Sequence, residues 1–117
     1  MKKQLFEGFA DESYVKAELP SGLQIYIMEK PQYSSSYAIF GTKYGSIDTK
    51  FSKNGGEEIS VPEGIAHYLE HRMFTQKDGS DITERFSSYG ADSNAYTSFN
   101  KTVYICSATD NFDDAVR

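Results

Sequence analysis

Tryptophan is missing from the 117 residues, and cysteine occurs once, at Cys106. A single thiol cannot close an internal disulfide, which fits a reducing compartment. Long apolar runs are also missing: no window approaches the roughly 20 residues that a membrane-spanning helix needs. The start, Met1-Lys2-Lys3, is not followed by the apolar stretch of a secretion signal. A cytoplasmic location and no membrane partner are therefore expected. Positive charge is scarce: 12 Lys and Arg against 17 Asp and Glu give a net charge of -5. No basic run follows a helical stripe, so nucleic-acid binding lacks its electrostatic footprint. Repeats and low-complexity tracts are absent.

Aromatic residues, by contrast, make up 15% of the chain, through nine Tyr and eight Phe. They supply large core side chains and argue against disorder over most of the chain. The length suits one small domain. Residues 1–13 are polar and mixed, and are expected to form a flexible lead-in to a domain over residues 14–117.

From Tyr14 the pattern turns extended. Two alternating runs, Val15–Leu19 and Leu23–Met28, flank Pro20-Ser21-Gly22 and read as a β-hairpin. Tyr37–Tyr44 reads as a third strand. Residues 46–60, with Asn54-Gly55-Gly56 at their centre, read as a long surface loop. A helix is expected from Glu63 to about Phe74, with Ser60 and Glu63 as a capping box and Pro62 in the first turn. Its buried stripe would be Ile65, Leu69 and Met73, four residues apart. A second helix would start at Asp81, bury Ile82, Phe86 and Tyr89, and end at Gly90. Ser93–Phe99 and Thr102–Ala108 read as an antiparallel pair joined around Asn100-Lys101. From Thr109 a third helix begins and the chain stops inside it, which suggests part of a longer protein. The expected fold class is α+β, a mixed and mainly antiparallel sheet with helices packed on one face.

The first helix carries His67-Tyr68-Leu69-Glu70-His71. At roughly 100° per residue, His67 and His71 lie about 40° apart and one turn along, so both imidazoles can reach one zinc ion. Glu70 falls about 60° to the other side of His67, beside the pair but not forced into the metal's coordination shell. The His-Glu-x-x-His order puts its carboxylate on the opposite side, so the order here is the inverted arrangement of the same parts. Zinc would acidify its water and polarise a carbonyl, and Glu70 would take the proton and return it to the leaving amine. Surface histidines without metal produce the same pattern. Favouring the metal, these are the chain's only two histidines, and they fall on a segment independently read as helical. Two histidines are still one ligand short of the usual catalytic zinc site.

The surrounding blocks resemble the insulinase/pitrilysin (M16) metallopeptidases, with wording closest to bacterial cytoplasmic M16-like members. Val61 to His71 resembles the family signature. Gly41 to Asp48 matches the strand and turn before it, and Gly90 to Phe99 with Thr102-Val103-Tyr104 the block after it. The resemblance implies helices on a mixed sheet, with two such units closing around a chamber that selects unfolded peptides. It implies Zn2+ held by His67, His71 and a glutamate on a later helix, beyond Arg117, with Glu70 as the base. Asn94, Ala95, Tyr96 and Thr97 match the edge strand on which the family lays its substrate. Read as residues alone, Asn94 is equally a strand-end residue and Tyr96 a half-buried aromatic. The expected activity is zinc-dependent endopeptidase action by the full-length parent, the 117 residues alone being inactive. Its partners would be an unfolded polypeptide substrate and a homo- or heterodimer mate of M16 type. The alternative is a non-catalytic binding or scaffold subunit, a reading that the intact motif disfavours.

Overall fold

The hairpin around Pro20-Ser21-Gly22 is present in the computed structural model, which describes residues 2–7 and 13–117. The turn closes through Gly22 N–H to Leu19 O at 2.9 Å and Leu19 N–H to Leu23 O at 2.9 Å. It joins β2 (Ser13–Glu18) to β3 (Gln24–Ile27), and β1 (Lys2–Glu7) pairs with the other side of β2, all antiparallel. Residues 2–7, within the expected lead-in, form a strand. They gain a ladder on β2 that their mixed composition does not announce; residue 1 and residues 8–12 lie outside the described residues. These three strands belong to a compact unit over residues 1–34, distinct from a second unit over residues 35–117.

The second unit is built on an antiparallel sheet of β4 (Ser36–Thr42), β8 (Thr102–Ala108) and β7 (Ala91–Thr97), with β8 in the middle. Before β7 come β5 (Lys50–Ser52) and β6 (Glu58–Ser60), a separate two-stranded hairpin. Residues 46–60 are therefore not simply a loop. Asn54 and Gly55 both take positive φ and fold the chain back, so Phe51 meets Ile59 across the pair. All strand pairs among the described residues are antiparallel.

Three helices complete the unit: α1 (Ile65–Phe74), α2 (Ile82–Ser88) and α3 (Phe112–Ala115). They pack against β7 and β8. Side chains alternate across a strand, so Ala91, Cys106 and Ala108 share one face and form a buried cluster. Phe86 of α2 and Phe112 and Ala115 of α3 pack on it, as does Ala38 of β4. Helix α2 starts as its sequence demands: the Asp81 carboxylate accepts from Thr83 N–H at 2.8 Å. Ile82, Phe86 and Tyr89 are each half-buried.

Helix α1 corrects two expectations. No capping box forms; Ser60 lies in β6, and the helix enters through Gly64 with φ 84°, without a side-chain cap bond. That left-handed value favours glycine and moves the helix start to Ile65. The buried stripe also differs. Leu69 is 45% and Met73 65% exposed, while Ala66 is buried and Glu70 and Phe74 are half-buried. The helix is turned by about 100° from its most apolar face. Glu70 bonds to β7 and the Phe74 ring lies 6.4 Å from that of Tyr104, and these contacts claim the inner face.

Gly45 fixes the other end of the sheet. A Cβ there would sit 2.4 Å from Phe99 O and 2.5 Å from the main-chain nitrogens of Asn100 and Lys101. The contact lets Ser46 N–H reach Ser98 O at 2.9 Å and Ile47 N–H reach Phe99 O at 3.0 Å. Gly45→Ala is expected to destabilise by at least roughly 1–3 kcal/mol, since backbone cannot yield as a side chain does. Gly41→Ala, whose Cβ would meet nothing within 4 Å, is the control in chemical denaturation. Equal midpoints for the two variants would refute the steric account.

Candidate metal centre

Helix α1 exposes His67 and His71 on one side. One turn apart, their rings lie 4.8 Å centre to centre, with Nε2 facing Nε2 at 3.0 Å. Two nitrogens bound to one tetrahedral zinc at about 2.0–2.1 Å lie about 3.3 Å apart, so the pair fits a shared cation with small ring movements. Two imidazole nitrogens facing one another are also the right donor chemistry for zinc. Among the described residues no cluster of three His, Cys, Asp or Glu side chains forms. His67 and His71 are thus a candidate pair of ligands only.

Glu70 lies between the histidines in sequence and turns inward. Its Oε2 accepts from Thr97 Oγ1 at 2.6 Å, joining α1 to β7 across 27 positions. Tyr104, opposite Ala95 in the sheet, lies within the field of Glu70. Burial first, and then the Glu70 charge, push its phenol above the ordinary tyrosine pKa. It therefore stays neutral near pH 7.

Asn94, Ala95, Tyr96 and Thr97 all lie on β7, which is one edge of the three-stranded sheet. Ala95 and Thr97 are half-buried and Asn94 and Tyr96 exposed, as strand alternation requires. Ser98 N–H bonds to Lys101 O at 2.8 Å, closing the hairpin around Phe99-Asn100, one residue before the expected turn. From that bonded pair the antiparallel alternation runs through Tyr96 and Asn94 toward β8. The main-chain groups of Thr97 and Ala95 consequently face the open edge. The Ala95 N–H is covered there by Asn94 Oδ1 at 2.8 Å.

The structure brings together His67 with His71 and Glu70 with Thr97. It leaves Asn94 and Tyr96 on the other face of the strand. The role of Thr97 as a partner of Glu70 was not visible in the sequence, because no periodicity relates residues 27 positions apart. A cavity of about 540 Å³ opens between the helices and the sheet, lined by Phe40, Met73, Phe86 and Tyr104 among others. Neither histidine nor Glu70 lines it, and both histidines lie exposed on the surface.

Residues 56–116 match the family model described as Insulinase (Peptidase family M16). The chain belongs to this peptidase family. Over 103 residues it is 44% identical to a Bacillus subtilis protein named uncharacterized zinc protease YmfH, covering 87% of this chain and 24% of that protein. An uncharacterized zinc protease of Rickettsia felis is 32% identical over 109 residues, covering 90% and 24%. A solved M16-like peptidase from Alicyclobacillus acidocaldarius superposes with a TM-score of 0.83 at 35% identity, over 95% of this chain and 26% of that one. The chain thus spans about a quarter of the length of these three relatives.

Proposed function

We propose that the full-length protein is a zinc endopeptidase acting on peptides or unfolded polypeptides. The observation that carries this reading is the pairing of two imidazole nitrogens at 3.0 Å with a carboxylate held on the same helix. His67 and His71 would hold the ion through Nε2, with a glutamate beyond Arg117 as third ligand. When bound, zinc supplies a Lewis acid that acidifies water and polarises a peptide carbonyl. The remaining work falls to side chains of this chain. Glu70 takes a proton from the attacking water and delivers it to the leaving amine. Thr97 holds Oε2, which leaves Oε1 available to carry the proton.

The β7 edge supports the substrate reading. A peptide added along it gains main-chain hydrogen bonds without demanding a sequence, which suits an enzyme that accepts many unfolded chains. Action in the cytoplasm is part of the same proposal, since the lone Cys106 is buried and unpaired.

Metal analysis after dialysis tests the whole reading. The full-length protein is expected to keep about one zinc per chain and to cleave unfolded polypeptide, because three protein ligands are usual for catalytic zinc. The 117-residue chain alone is expected to lose its zinc and to be inactive. A full-length protein that holds zinc but cuts nothing would favour a scaffold subunit instead.

A further inference from the structure

Glu70 makes a single side-chain hydrogen bond among the described residues, and Thr97 supplies it. At 2.6 Å it is as short as a hydroxyl-to-carboxylate bond becomes when the acceptor is charged. Both residues are half-buried, whereas the histidines beside Glu70 are exposed. A glutamate has three side-chain torsions, and on an open helix surface its carboxylate would sample several rotamers. The bond from β7 selects one of them. Thr97 also has its own main chain on the open edge of the sheet, by the alternation counted from Ser98. One residue therefore touches both the strand face available to a peptide and the carboxylate.

We infer that Thr97 is a positioning residue, holding the Glu70 carboxylate in the orientation that receives the proton and linking that orientation to occupancy of the β7 edge. The inference rests on the reading of Glu70 as the base. Thr97 needs no contact with substrate side chains for this. A peptide paired along the edge would stiffen the Thr97 backbone, and with it the hydroxyl that aims Glu70.

The test uses the zinc-loaded full-length protein and an unfolded polypeptide substrate. Thr97→Val keeps the shape and removes the donor. It is expected to lower kcat about 10- to 100-fold, the scale on which a small misplacement of a catalytic group acts. KM is expected to change less than about threefold and zinc to stay at about one per chain, because the ligands are untouched. Thr97→Ser returns the hydroxyl and should recover kcat to within about threefold of the parent. Should the valine variant not fold, as judged by circular dichroism, Thr97→Ala carries the same expectations. The inference is overturned if the donor-free variant keeps its kcat, if the loss lies in KM or in zinc content, or if serine performs no better than valine. An active Glu70→Gln enzyme would instead remove the base reading itself. An inactive Glu70→Gln beside an unaffected Thr97→Val would remove only the positioning role.

Discussion

Glu70→Gln in the full-length protein is expected to lower kcat by about 10²- to 10⁴-fold, the usual contribution of a positioned acid–base group. The replacement is nearly isosteric. Its amide oxygen can still accept from the Thr97 hydroxyl, so the link between α1 and β7 that Glu70 makes at 2.6 Å is preserved. What it loses is the capacity to take a proton. His67 and His71 are untouched, so zinc content should stay at about one per chain, their nitrogens being the ligands assigned. Stopped assays on an internally quenched peptide, with metal analysis of the same preparation, give both numbers. A Gln variant with full activity would show that the proton is taken elsewhere. Zinc loss in this variant would mean that Glu70 is a ligand and not a base.

His67→Ala and His71→Ala are expected to fail differently, by losing the metal. Removing either imidazole leaves one nitrogen where two now stand 3.0 Å apart. Even the outer partners of metal ligands typically cost about 10- to 100-fold in affinity when removed, so loss of a ligand should exceed about 100-fold. Activity should fall with zinc occupancy and recover in part as zinc is added. Both histidines are exposed, so the unfolding midpoint of the metal-free protein should hardly move, within about 0.5 kcal/mol. Leu69→Ala is the useful neighbour. Leu69 lies between the two histidines but is 45% exposed, so its removal should leave both zinc and activity in place. Tight zinc in either alanine variant would place the ligand set elsewhere in the protein.

Much of the fold was legible locally. The Pro20-Ser21-Gly22 hairpin, the Asp81 cap of α2 and strand β8 all follow from residues within four positions of one another. Such features depend on backbone torsions and short-range hydrogen bonds, which neighbouring residues decide. The histidine pair belongs to the same class, because a helix fixes the spacing of residues four apart. Where the reading failed, the deciding contact was distant. Strand β1 depends on pairing with β2, and the β5–β6 hairpin on two positive-φ residues in a polar stretch. Apolarity, the only local guide, points the inner face of α1 to Leu69 and Met73, which are exposed. The actual face is set by Glu70 meeting Thr97 and by Phe74 meeting Tyr104.

The amino-acid sequence by itself determined the inverted histidine and glutamate motif, the helix that carries it and the β7–β8 hairpin that follows. These rest on periods of two and 3.6 residues, which are written in consecutive positions. Only the tertiary structure decided that Glu70 turns inward to a threonine on β7, that β7 is an edge and that Gly45 must admit the turn after it. Each depends on where segments tens of residues apart come to rest, and that is set by the packing of the sheet against its helices.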